Sequence, residues 1–189
     1  MITPEDLIKD INYARTIEDK RLMFLYFDLY VEHFVHALYG EIKYKKTLFK
    51  SIIDFFYKKR ASVASPKTKA RTLVKYRFID KMYLDIILLI FGLRNELVHN
   101  LRPDIGMIEQ KINQHKPPIE GDKKGVIKNF LDKVSSWDKI QLYAIPTMVH
   151  LYQQLKKIRN EKIDYDMQFQ LNPTADRIMV VLNKNQEKT

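Results

Sequence analysis

The sequence predicts an all-α fold, an up-down helical bundle followed by a small C-terminal β-hairpin. Apolar residues recur at spacings of three and four over most of the first 160 positions, which is the helical period. Five Gly and seven Pro in 189 residues are too few for a turn-rich sandwich or barrel. Residues 167–171 instead alternate apolar and polar side chains, as strands do, and the apolar run over 178–182, after Asn172-Pro173, is read as a second strand. We therefore divide the chain into a helical domain (1–165), a hairpin (166–182) and a tail (183–189).

Four helices are predicted in the first half of the chain. Thr3 is a suitable N-cap and Pro4 a suitable first helical residue. Gly40 is expected to end the second helix, and a Ser/Lys/Pro stretch over residues 62–70 predicts an exposed loop. The fourth helix is apolar nearly all round, which places it at the centre of a bundle or of a subunit interface. The expected helices run over about residues 3–13, 18–39, 48–60 and from 73 or 80 to 98.

The second predicted helix has two apolar faces. Leu22, Leu25 and Leu29 form one row along it. An offset row contains Phe27, Tyr30, Phe34 and Leu38. A helix with two such faces is expected to pack on both sides.

The second half of the chain begins with a long connection over residues 102–124, with a turn or two of helix near 105–112. Two helices are expected after it, over residues 126–134 and 137–161. Pro146 is expected to kink the second of these, because proline removes one helical hydrogen bond.

The net charge of +10 is concentrated in about one fifth of the chain. Thirteen Lys/Arg and two Asp lie between Lys43 and Lys81, a difference of +11. Such a cluster, interleaved with aromatic residues, is typical of a surface that binds a polyanion such as a nucleic acid. A solvated helix face is the alternative, because helices favour basic residues in their last turn. The residues expected to contact RNA are Lys58, Lys59, Arg60, Lys67, Lys69, Arg71, Lys75 and Arg77.

Several classes of protein are excluded by what the sequence lacks. There is no Cys, hence no disulfide framework, thiolate nucleophile or iron–sulfur cluster, and neither common glycine-rich phosphate loop occurs. The longest apolar run, residues 86–93, is eight residues long, short of the roughly 18 that a membrane span needs. The N-terminus reads as a helix start and not as a secretory signal. We expect a cytoplasmic protein without a membrane partner.

The chemistry-bearing residues stand at the end of the fourth predicted helix, which reads Arg94-Asn95-Glu96-Leu97-Val98-His99. A guanidinium at the end of so apolar a helix needs a charged partner or a cleft. Arg94 and His99 are five residues apart, so in a continuous helix they point about 140° away from each other. They share a site only if the helix frays or a second copy completes it. Asn95 and His99 lie on one face, and a simple C-terminal cap is the alternative role for His99.

This string resembles the Arg-x4-His motif of the HEPN superfamily. Over residues 1–160 the resemblance lies in the helical pattern alone. Only the six residues 94–99 match the motif itself. It implies a HEPN-like bundle, a homodimer in which two motifs face each other across a cleft, and ribonuclease activity that needs no metal or other cofactor. His99 would transfer protons, Arg94 would stabilise charge on the phosphorane, and Asn95 would orient the histidine or a phosphate oxygen.

The resemblance has limits. Some HEPN toxins carry a tyrosine two residues after the histidine, where this sequence has Leu101, so regulation by modifying that tyrosine is not expected. Some family members bind without cutting. The predicted function is an endoribonuclease, in the manner of a toxin or defence effector with an antitoxin or regulatory protein as partner. The alternative is a non-catalytic module that binds nucleic acid, a nucleotide or a partner protein.

Other histidines are weaker candidates. His33 and His36 form an i, i+3 pair that could bind a metal, but no further ligand stands at a recognisable spacing. We predict partly buried, hydrogen-bonded histidines and no metal site. Asp28 or Glu32 is a candidate auxiliary residue of the cleft. His150 is expected to be structural.

Overall fold

The computed structural model describes residues 3–47, 64–100, 103–115, 132–161, 165–172 and 177–184. Within this part of the chain there are six helices, which confirms the predicted helical class. They are α1 (Pro4–Thr16), α2 (Lys20–Thr47), α3 (Pro66–Lys75), α4 (Lys81–His99), α5 (Ile105–Gln114) and α6 (Ser136–Arg159). None of these described helices is both long enough and apolar enough to cross a membrane.

Two strands follow the helices. Strand β1 (Tyr165–Asn172) pairs antiparallel with β2 (Arg177–Lys184), so that Tyr165 lies opposite Lys184 and Asn172 opposite Arg177. The turn that would join them, residues 173–176, lies outside the described residues. The predicted hairpin as a unit therefore stays a prediction, as do the domain boundaries and the up-down order of the bundle.

Local hydrogen bonds explain where the helices start. The Thr3 hydroxyl accepts from the Asp6 backbone N–H at 3.1 Å, while the Asp6 carboxylate accepts from the Thr3 N–H at 3.0 Å, which is a capping box. Ser65 caps α3 by accepting from the Thr68 N–H at 3.2 Å, and Ser135 caps α6 in the same way. Each cap satisfies backbone donors that lack a partner inside the helix.

Two sequence predictions in the first half of the chain are wrong. Gly40 does not end α2, which continues to Thr47. A glycine inside a helix costs only about 1 kcal/mol, and the buried Leu38 and Ile42 on either side of it hold the helix in the core. The predicted loop over residues 62–70 contains the start of α3, because Ser65 caps a helix whose Ala70 and Leu73 are buried.

The other helix bounds differ less from the prediction. Helix α4 starts at the later of the two predicted positions, and α5 extends past its expected end to Gln114. Helix α6 runs through Pro146 to Arg159. The predicted helix over 48–60 and most of the one over 126–134 lie outside the described residues, while residues 132–134 form a turn and a bend.

Helix α2 is the centre of the core and packs against α1, α3, α4 and α6. The inner row of its two predicted apolar faces is buried, with Phe27 and Phe34 at most 1% exposed. The other row is covered only in part, since Leu25 packs against the core whereas Leu22 is 56% and Leu29 63% exposed. In the single chain α2 thus packs against four helices, while its second apolar row is covered only in part.

Helix α3 ends in an unusual way. The Phe78 N–H donates to the Leu73 carbonyl and the Arg77 N–H to the Val74 carbonyl, both at 2.9 Å, which is a Schellman motif with Arg77 at the C′ position. Arg77 has φ 60°, a left-handed conformation that glycine adopts more easily than arginine. Helix α6 ends with the same hydrogen-bond pattern, but there Asn160, which tolerates this conformation, occupies the position.

Replacing Arg77 with glycine should relieve this strain. We expect Arg77→Gly to raise the free energy of unfolding by about 0.5–1 kcal/mol. The melting temperature should rise by ~2–4 °C per kcal/mol in a chain of this size. Asn160→Gly is the matched control and should change stability less. A loss of stability in Arg77→Gly would show that the arginine side chain outweighs the backbone strain.

Candidate functional site

Arg94 finds its partners on α2. Its Nη1 pairs with the Glu32 carboxylate and lies 3.5 Å from Oδ2 of Asp28, one turn earlier on the same helix. The guanidinium also lies 5.6 Å from the ring centroid of Phe91. With its side chain 25% exposed, Arg94 is held in place yet remains accessible. This pairing offsets the cost of a guanidinium at the end of an apolar helix.

Asp28 is the most buried member of this group. It is 3% exposed, and its Oδ1 has no hydrogen-bond partner in the described part of the chain. Burial raises the pKa of Asp28 to about 6, against the opposing effect of Arg94 and with a further rise from the Glu32 charge. Above that pH one cation therefore faces two carboxylates, and below it one carboxylate is neutral.

His36 continues the row one turn beyond Glu32. Its Nε2 is 3.6 Å from Oε1 of Glu32, the oxygen that does not pair with Arg94. Burial, and then the charge of Lys69 on α3, lowers the pKa of His36. Lys69 Nζ itself lies 5.9 Å from the ring centroid of Tyr39, one turn further along α2. We call Asp28, Glu32, His36 and Arg94 the Arg94 cluster.

The predicted partner of Arg94, His99, is the last residue of α4 and is exposed. Because α4 is helical to that point, fraying does not bring the two side chains together. Helix geometry puts them about 140° apart and ~7.5 Å along the axis. Asn95 is also exposed, and the described residues include no hydrogen bond between Asn95 and His99. A shared site for Arg94 and His99 therefore requires a second copy of the chain.

The predicted RNA-binding residues fall into two groups. Lys58, Lys59 and Arg60 lie outside the described residues. The others lie on α3 or just after it. Lys67 and Lys69 are half-buried, whereas Arg71, Lys75 and Arg77 are exposed. Arg71 and Lys75 are one turn apart on the side of α3 away from its buried residues, so the described basic surface faces solvent.

The remaining histidines have structural surroundings. His150 stacks on Tyr83 with ring centroids 4.0 Å apart, and burial lowers its pKa. The Nε2 atoms of His36, His115 and His150 are buried without a hydrogen-bond partner in the described residues. The predicted hydrogen bond of His36 is therefore absent there, while His33 is exposed. Among the residues described, no three His, Asp or Glu side chains are arranged to hold a metal ion.

A cavity of about 620 Å³ lies elsewhere, between α1, α2 and α6. Its lining includes Lys156 and Arg159, but both are paired with acids. Lys156 pairs with Glu161, and Arg159 Nε donates to Glu41 at 2.7 Å. The lining also contains Asp6 and Asp10 beside Lys9, so acids are as prominent as cations around this cavity.

Sequence reasoning found part of the Arg94 cluster. It singled out Arg94 as needing a partner and named Asp28 and Glu32 as auxiliary candidates, but it gave His36 no role beside Arg94. The signal was present in the spacing, since Asp28, Glu32 and His36 follow one another at intervals of four and share one face of α2. The spacing does not reveal which helix packs against this face of α2.

Comparisons with known proteins leave the function to be argued from the site itself: no family model, curated protein or solved structure matches the chain.

Removing Arg94 should leave Asp28 and Glu32 as unpaired neighbours. We expect Arg94→Ala to lower the free energy of unfolding by about 1–3 kcal/mol at pH 8. The loss should be smaller at pH 5, because below its pKa of about 6 the folded Asp28 is mostly neutral, and Arg94 then has only the Glu32 charge to compensate. Urea unfolding of the wild type and of Arg94→Ala at pH 5 and at pH 8 measures the loss of unfolding free energy at each pH.

A second substitution provides the control for this experiment. Asp28→Asn in the Arg94→Ala background removes the buried charge, so it should restore part of the stability lost at pH 8. An equal loss at pH 5 and pH 8 would contradict the assigned role of Asp28.

Proposed function

We propose that the protein is a metal-independent endoribonuclease of the HEPN type, with a composite site formed by two copies of the chain. The observation that carries the proposal is the placement of Arg94, which two carboxylates hold partly exposed near the end of the apolar helix α4. Such a costly arrangement is typical of a site where a guanidinium must be kept in a fixed position.

RNA supplies its own nucleophile, the 2′-hydroxyl beside the scissile phosphate. Cleavage then needs a cation for the charge that develops on the phosphorane and groups that move protons. In the described residues the carboxylates contact Nη1 of Arg94, and a guanidinium has five N–H donors, so others can bind phosphate. The exposed His99 would transfer a proton, and Asn95 would orient it or a phosphate oxygen. This chemistry requires no cofactor.

Exposed apolar side chains on the two helices of the Arg94 cluster support a homodimer. Leu29 on α2 is 63% exposed and stands next to Asp28, while Val98 on α4 is 54% exposed, one turn beyond Arg94. Leu22, two turns before Leu29, is 56% exposed on the same face. Burying such side chains against a second copy is favourable and would bring the partner's motif close to this one.

The basic residues of α3 would supply affinity for RNA without sequence specificity, through neutralised phosphates and released counterions. Arg71 and Lys75 are exposed and suited to this role. The proposal includes a biological role. The protein would act as a toxin or defence effector that is controlled by an antitoxin or another regulatory protein.

A second candidate function is a non-catalytic module that binds nucleic acid, a nucleotide or a partner protein. One observation favours it. Arg94 is paired with two carboxylates, which lowers the positive potential that a phosphate would meet at the cluster. In this case α3 would bind the nucleic acid, nucleotide or partner protein. The Arg94 cluster would only hold α2 against α4.

Ribonuclease activity can be tested with purified protein and RNA in EDTA. We expect cleavage that leaves 2′,3′-cyclic phosphate ends. Arg94→Ala and His99→Ala should each lower the rate by about 10²–10⁴-fold, because each removes a group that acts in the transition state. Arg159→Ala is a matched control, since Arg159, Asn160 and Glu161 repeat the first three letters of the motif.

The outcomes separate the two functions. Absence of cleavage, or equal cleavage by all variants, would contradict the ribonuclease. RNA binding without cleavage, weakened by Arg71→Glu and Lys75→Glu, would support the non-catalytic module.

The composite site predicts that dimerisation and activity are lost together. Leu29→Asp places a charge in the proposed interface, so light scattering should show a monomer and cleavage should fall. Tyr13→Asp changes a side chain of similar exposure, 60%, on α1 and should leave both unchanged. A wild-type protein that is monomeric at concentrations where it cleaves RNA would refute the composite site.

A further inference from the structure

Arg94 already has an imidazole near it in its own chain. Glu32 links the two groups, since its Oε2 pairs with Arg94 Nη1 while its Oε1 lies 3.6 Å from His36 Nε2. Resting on the ribonuclease function proposed above, we propose that His36 is a proton-transfer residue of the site and that Glu32 is its positioning residue. The motif at residues 94–99 would then be only part of the machinery.

The orientation of His36 suits this role. Its Nε2 is buried and faces the Glu32 carboxylate, yet the side chain as a whole is 40% exposed. A carboxylate beside one ring nitrogen favours the tautomer with the proton on that nitrogen, which leaves the other nitrogen as an acceptor. The contact is longer than a hydrogen bond, as contacts of catalytic groups often are before substrate binds. Nδ1 is therefore the atom that would receive a proton.

The charges around His36 keep it neutral near neutral pH. Burial lowers its pKa, and so do Lys69 on α3, His33 on α2 and Arg94 on α4, whereas Glu32 raises it. A neutral imidazole is the form that acts as a general base. The two cations beside it, Lys69 and Arg94, are suited to a phosphate that approaches the same place.

The step balances without a further reactant. The ribose 2′-oxygen forms a bond to phosphorus, and its proton passes to Nδ1 of His36. The bond from phosphorus to the 5′-oxygen breaks, and that oxygen takes a proton from the imidazolium of the second copy's motif histidine. The products are a 2′,3′-cyclic phosphate and a 5′-hydroxyl, after which both imidazoles exchange protons with water.

Single-turnover cleavage of an end-labelled, mixed-sequence RNA in EDTA, followed from pH 5 to pH 9, tests the assignment. His36→Ala should lower the rate by about 10²–10⁴-fold and remove the acidic limb of the pH profile. Added imidazole should restore part of the lost rate. Glu32→Gln should lower the rate less. His33→Ala, on the same helix, is the matched control and should keep the wild-type rate and an acidic limb, which moves only slightly to higher pH because His33 lowers the pKa of His36.

The contribution of Asp28 must be separated from that of His36, because Asp28, with a pKa of about 6, titrates within the pH range of the profile. The profiles are therefore measured in the Asp28→Asn background as well, where the acidic limb should persist and should still depend on His36. Thermal unfolding of His36→Ala should match that of the wild type.

The results distinguish two failures. If the wild type cleaves RNA and His36→Ala keeps its rate and acidic limb, the role of His36 is wrong and the ribonuclease stands. A folded His36→Ala that loses activity but does not respond to imidazole would also overturn proton transfer by His36. If the wild type does not cleave RNA at all, the proposed function fails and this inference fails with it.

Discussion

The ion cluster between α2 and α4 is the interaction on which the rest of the molecule depends. Helix α4 buries five apolar residues and then places a guanidinium in its last turns. That charge must be neutralised, and Asp28 and Glu32 on the neighbouring α2 do so. Because Asp28 is almost fully buried, the pair also ties the register of α2 to that of α4. The same contact that stabilises the fold therefore fixes the position of Arg94.

The helical class could be predicted because it follows from the spacing of apolar residues. The need for a partner to Arg94 followed from the cost of burying a charge. The identity of that partner could not be predicted, since two or more helices carry acids and tertiary packing decides which one faces α4. Two local signals mislead: core contacts outweigh Gly40 as a helix breaker, and Ser65 caps a helix inside a stretch whose composition predicts a loop.

In the described residues, two surfaces carry charges that suit two different parts of the proposed function. The exposed cations of α3 have no buried acids among them and suit general attraction of a polyanion. In the Arg94 cluster the positive charge is moderated by carboxylates, one of which has a pKa of about 6. A cluster of this kind is poorly suited to bulk attraction but well suited to precise placement of one guanidinium and one imidazole.

One measurement tests the central claim most directly, namely that a ribose-phosphate backbone binds at the Arg94 cluster. An RNA whose 2′-oxygens are methylated cannot be cleaved, and it can be titrated into labelled protein while the Arg94 guanidinium and His36 imidazole are followed by NMR. The account predicts that both signals shift together and saturate at one binding constant, with Arg71 and Lys75 also affected. Shifts confined to α3, with Arg94 and His36 unchanged at saturation, would contradict it.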